Sequence, residues 1–138
     1  MSHSFSSLDT LGQGYGFRSI RKHMDITAFG VNGIVMPPGY EGFLHYHDSQ
    51  DELYFVHAGT ARVEVGGETQ LLGPGGLFHA SATTQRKVSS EGPEDLVLLV
   101  IGARGGYVER DGHLVDPDRD LERRTAFGRG EVGARHDD

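Results

Sequence analysis

A chain of 138 residues supports one domain with a real core and leaves little room for a second. Its formal charge of −7 argues against a nucleic-acid partner, which shows a basic patch or stripe; Arg21-Lys22-His23 and Arg123-Arg124 sit among acids as solvated surface. With no cysteine there is no disulfide framework, thiolate site or Cys nucleophile, so any metal must be held by histidine and carboxylate.

Residues 1–14 are rich in Ser and Gly and read as a flexible lead-in with Phe5 and Leu8 as anchors. They lack a basic region followed by an apolar core, and no apolar run approaches a membrane span, so the expectation is a cytoplasmic protein with no membrane partner. Gly12-Gln13-Gly14-Tyr15-Gly16 has glycines spaced as in a phosphate loop, but no strand precedes it and it reads as a flexible turn. Phe17 to Ile20 suggests a first strand, and Ile26 to Met36 a second, interrupted by glycines that signal a bulge or bend. Pro37-Pro38-Gly39 stops that strand and turns the chain into the strand Phe43 to His47.

Strand side chains alternate between faces, so His45 and His47 point the same way and can share one ion. Asp48-Ser49-Gln50-Asp51 has the polar composition of a hairpin turn, and a hairpin there would fold Glu52 back over the two imidazoles. Two neutral imidazoles and a carboxylate suit a divalent transition metal, Fe, Mn, Ni or Zn, with positions open for water or substrate. Tyr54 and Phe43 stand two residues from a ligand on the same strand face and are expected in the pocket, although both also fit simple core packing. Asp51 and His57 are expected to face away from the ion.

Farther along, Ala61, Val63 and Val65 alternate with polar residues as a half-buried strand. Leu71-Leu72 and Leu77 to Ala80 are short strands, and Leu96 to Ile101 is apolar on both faces, the pattern of a buried strand. Short strands with frequent turn signals point to an all-β sandwich or barrel over residues 15–112. Residues 113–138 read as a charged, partly disordered tail; a helix or a contact with a partner subunit is considered for Leu121 to Phe127, and disorder is expected for the last ten residues.

Residues 39–59 resemble the first motif of the cupin superfamily: Gly, five residues, His-x-His, three or four residues, Glu, six residues, Gly. All five fixed positions match, at Gly39, His45, His47, Glu52 and Gly59. The resemblance, which extends over roughly 28–101, implies a double-stranded β-helix, or jelly-roll barrel, with the ion near its centre. The superfamily's second motif supplies a further His ligand in the pattern Gly, five residues, Pro-x-Gly, two residues, His, three residues, Asn. One register here runs Gly75, Ser81, Thr83, Arg86, Ser90; the other matches Pro74-x-Gly76-x-x-His79 literally, with Glu68 and Thr83 at its ends.

The literal register makes His79 a fourth ligand but leaves barely one hairpin arm between the motifs. The first leaves a whole strand pair, as small bacterial cupins have, and is preferred; it puts Arg86 where the last ligand would stand. Arginine has no lone pair to give, so two outcomes are open. Arg86 turns aside and anchors an anionic substrate at the rim while His45, His47 and Glu52 hold the metal, or it pairs with Glu52 and no metal binds.

Functionally, the resemblance implies a small-molecule ligand or substrate. Arg86, His79 and Tyr54 are the candidates for catalysis. A two-His, one-carboxylate iron site favours a dioxygenase-type oxidoreductase. An isomerase would use the metal as Lewis acid and His79 as base. A noncatalytic ligand-binding module is the alternative of another class. The edges of an open sandwich must be covered, which suggests a homodimer.

Overall fold

The computed structural model describes residues 2–132. Among them ten strands form two five-stranded antiparallel sheets, in the orders β1-β2-β9-β4-β7 and β10-β3-β8-β5-β6. The strands are β1 (Gly16–Arg18), β2 (Gly30–Met36), β3 (His45–His47), β4 (Asp51–Ala58), β5 (Ala61–Val65), β6 (Glu68–Leu72), β7 (Leu77–Ala80), β8 (Arg86–Ser90), β9 (Leu96–Ala103) and β10 (Gly112–Leu114). The short helix α1 (Ile20–Met24) follows β1, and α2 (Pro117–Gly128) follows β10. Residues 26–29 precede the second strand rather than belonging to it, and the first strand ends at Arg18. No helix among the described residues is long and apolar enough to cross a membrane.

The sheets pack face to face over the core Met36, Tyr54, Val56, Ala61, Val63, Val88, Leu96, Leu98, Val100 and Phe127. The apolar run of β9 lies between β2 and β4, with Leu96, Leu98 and Val100 buried inward and Val97, Leu99 and Ile101 half-buried outward. That accounts for a strand apolar on both faces. The motif's end glycines shape the turns around β3 and β4. Gly39 and Gly59 have φ of +72° and +81°, and a Cβ on Gly59 would stand 2.2 Å from the Asp95 carbonyl oxygen.

The connection between β3 and β4 departs from the expected hairpin. The two strands lie in different sheets, β3 beside β8 and β10, β4 beside β7 and β9. Turn residues fix a chain reversal, whereas the partner strand is chosen by non-local pairing, and here loop 48–50 crosses from one layer to the other.

Residues 113–132 are part of the folded unit. Asp116 caps α2, its carboxylate accepting from Arg119 N at 3.2 Å, Pro117 opens the helix, and Asp118 and Asp120 suit its positive end. One aromatic then anchors it: buried Phe127 stacks on Tyr40 and meets Phe17 and Phe43 edge-on. The expectation of disorder for the last ten residues lies, over 133–138, outside the described residues. At the other end Leu8 packs near Gly33, while Phe5 is 93% exposed and anchors nothing.

Candidate metal centre

β3 presents His45 and His47 from one sheet, and β4 presents Glu52 from the facing sheet. Among the described residues these three form a group whose ligating atoms all lie within 4.8 Å of one another. Glu52 Oε1 stands 3.2 Å from His47 Nε2 and 3.8 Å from His45 Nε2. Ligand atoms about 2.1 Å from a shared ion sit roughly 3.0–3.4 Å apart in octahedral or tetrahedral geometry, so the His47–Glu52 pair already has that spacing and the His45–Glu52 pair is a few tenths of an ångström wider. The side chains of His47 and Glu52 are nearly enclosed, whereas that of His45 is 25% exposed and gives the site an opening to solvent.

The tautomers are fixed from behind. His45 Nδ1 lies 2.9 Å from the Phe43 carbonyl oxygen, and His47 Nδ1 lies 2.7 Å from Asp111 Oδ1. Each acceptor holds a proton on Nδ1, so Nε2 is the atom that faces Glu52 and would give its lone pair to a bound ion, as metal-ligating imidazoles require. Asp111 also accepts from the backbone N–H groups of Ser49 and Gln50 and from the Gln50 amide, so one carboxylate orients the ligand and pins the loop that crosses between the sheets. Burial pushes the Asp111 carboxyl up, but hydrogen bonds from Gln50, Ser49 and His47 outweigh it and hold the group well below the usual range. The His47 ring lies against Gly112, where a Cβ would come within 3.0 Å of Cε1.

Arg86 stands opposite His45 in the β3–β8 pairing and is fully buried. Its Nη2 donates to Glu52 Oε1 at 2.7 Å and its Nε to the Tyr54 hydroxyl at 3.3 Å. Nη1 donates to the carbonyls of Ala82 at 2.9 Å and Thr84 at 2.8 Å. With its donors committed this way the guanidinium is not at the rim and is not free to grip a substrate, which corrects one of the two roles considered for it.

Tyr54 donates to Glu52 Oε1 at 2.6 Å; burial pushes its phenol up, so it keeps its proton and acts as a donor. Burial would also raise the Glu52 carboxyl, but the His45 and His47 imidazoles beside it and the hydrogen bond from Tyr54 pull it far below the ordinary range. Glu52 is a carboxylate at any working pH.

The other sequence candidates lie elsewhere. His79 pairs with Leu53 on the outward face of β7 and is exposed, so the alternation of the strand removes it from the site and with it the fourth-ligand role. His57 is likewise exposed, and Asp51 turns aside to accept from Ala82 N at 3.0 Å. Phe43 packs with Tyr40 and Phe127 beneath the Arg123 guanidinium. Asp111 was not found from the sequence: it lies 64 residues from His47, in an irregular stretch without periodicity.

Residues 34–102 match the family model described as the cupin domain. No curated protein is similar enough to match. Among solved structures, a cupin protein from Bacteroides fragilis superposes with a TM-score of 0.65 at 20% identity, over 80% of this chain and 91% of that one. KdgF from Halomonas sp. is 27% identical over 56% of this chain and 70% of that one, with a TM-score of 0.51. A sugar phosphate isomerase of the cupin superfamily from Silicibacter pomeroyi is 26% identical with a TM-score of 0.52, over 56% of this chain. The chain spans about half of that isomerase's length, 51%.

Proposed function

The chain belongs to the cupin family, and from that premise we propose that it is a metal-dependent enzyme acting on a small organic molecule at a divalent transition ion held by His45, His47 and Glu52. The observation that carries this reading is the pair of imidazoles whose Nδ1 atoms are tied to Phe43 O and Asp111, leaving both Nε2 atoms aimed at one carboxylate oxygen. Bound there, the ion would supply Lewis acidity and, as iron, redox chemistry. The chain's own part is to set the imidazole tautomers, to keep Glu52 anionic through Arg86 and Tyr54, and to leave the His45 side open to substrate.

Dioxygenase-type oxidation is favoured over isomerisation. The isomerase reading needs a base to move a proton; its candidate, His79, faces outward, and Tyr54 holds its own proton. A second reading, a noncatalytic ligand-binding cupin, draws support from the Arg86–Glu52 pair, whose positive charge disfavours a cation beside it. We also propose a homodimer, formed where the outward side chains Leu53 and Leu77, 36% and 62% exposed, lie beside the edge strand β7.

The deciding experiment is elemental mass spectrometry on protein purified without a nickel column, beside the His45→Ala and Glu52→Gln variants. Near-stoichiometric metal that is lost in both variants, followed by substrate-dependent oxygen uptake, is the expected result. Wild-type protein free of metal even after incubation with Fe(II), Mn(II), Ni(II) and Zn(II) would discard the metal enzyme in favour of the binding module.

A further inference from the structure

On the outer face of the sheet that carries β1, away from the candidate metal centre, a cleft of about 800 Å³ opens between the amino-terminal segment and strands β2, β4 and β9. That volume falls among those of small-molecule sites, about 300–1,000 Å³. One wall is the glycine turn 12–16, which is no phosphate loop: it carries Gly14 in a left-handed conformation, φ +71°, and aims the Gly14 carbonyl at Arg18.

Arg18 is only 6% exposed. Its Nη2 donates to Gly14 O at 2.7 Å, while its buried Nε has no hydrogen-bond partner. Among the described residues no carboxylate lies within ion-pair distance of it. A guanidinium withdrawn from water without a counter-charge or a full set of acceptors is costly, and the cost is offset when an anion reaches it. The rest of the lining is of mixed sign. Asp95, which accepts from the Tyr15 hydroxyl at 3.0 Å, and Asp9 bring carboxylates, and exposed His57 brings a ring that can donate or accept. A bare dianion would meet two carboxylates there; a ligand carrying an acid beside a hydrogen-bond donor would satisfy both signs.

We propose that this cleft is a second binding site, taking a small carboxylate with an adjacent hydroxyl or ammonium group, the carboxylate on Arg18 and the donor toward Asp95. It stands independently of the metal centre, on the opposite side of the sheet.

The test follows the Arg18 Nε–H resonance by NMR while lactate, alanine, lactamide or inorganic phosphate is added to the full chain, as wild type and as His47→Ala. Lactate and alanine test the hydroxyl and ammonium forms, lactamide removes the acid, and phosphate is the bare anion. Lactate or alanine is expected to shift the resonance saturably and equally in both proteins, lactamide and phosphate not to, and Arg18→Lys to weaken the effect about tenfold. A resonance unmoved by both acids, an equal response to lactamide, tighter binding of phosphate, or a response lost in His47→Ala would each overturn the proposal. Because the signal is read on wild-type protein, a poorly folding Arg18 variant does not remove the test.

Discussion

Asp111 does more at this site than its place outside the ligand set suggests. Its carboxylate accepts hydrogen bonds from His47 Nδ1–H and from two backbone N–H groups of the crossing loop, so removing it loosens both the ligand and the loop that leads to Glu52. Asp111→Ala should weaken metal binding roughly 10–100-fold in competition with a chromophoric chelator, with Asp111→Asn, which keeps the shape and loses the charge, falling between. Arg86 belongs to the same scale. Arg86→Gln strips the buried charge partner from the nearly enclosed Glu52 and a donor pair from the Ala82 and Thr84 carbonyls; urea titration should show a loss of about 3–5 kcal/mol. Of these residues, His45, His47 and Glu52 were legible in the sequence because their spacing is local. Arg86 was legible through the cupin resemblance, while Asp111 depends on which distant segments the barrel brings together.

Helix α2 contains the stretch Leu121 to Phe127 for which a helix was considered, and it begins four residues earlier, at Pro117. Its composition is that of a solvated tail, but an N-cap, an opening proline and one buried aromatic suffice to seat it, and none of these changes the overall charge pattern. Buried Asp120 gives the helix a second tie, accepting from Arg119 at 2.9 and 2.8 Å and from Arg123 at 3.1 Å. Arg123 in turn donates to the carbonyl of Glu41 at 3.0 Å and of Gly42 at 3.2 Å. Hydrogen bonds from Arg119, then Arg123, hold the Asp120 carboxyl at about 2 against an ordinary 3.8. A depressed pKa contributes stability that is present above the ordinary value and lost as pH falls through the folded one. The urea midpoint of wild type should therefore exceed that of Asp120→Asn near neutrality, and the gap should close between about pH 4 and pH 2. The misread hairpin is the other element-level lesson. Polar residues at 48–51 mark a turn correctly, yet the strands that pair with β3 and β4 are not each other but β8 and β10 for the one and β7 and β9 for the other, all farther along the chain.

At the scale of the molecule, the sandwich followed from alternation and turn spacing, and the buried strand at 96–101 declared itself by composition, whereas β8 and β10 are not among the strands those signals marked. What composition could not supply was the way the layers share the site. Zn(II) or Mn(II) at about 100 times its dissociation constant should stabilise the fold by about 2.7 kcal/mol, roughly a 10 °C rise in melting temperature. EDTA should reverse the rise, and His47→Ala should abolish it.

The two imidazoles stand on one layer and the carboxylate on the other, so the centre works as a gauge of the gap between them. A widening of about an ångström would leave each sheet's hydrogen-bond ladder intact and still pull Glu52 out of register with His45 and His47. On warming or in mild denaturant, metal retention should fail first, at the onset of breathing between the layers, while the far-ultraviolet circular dichroism of the strands persists. A metal-release curve that coincides with the loss of β-structure would instead make the two layers a single cooperative body.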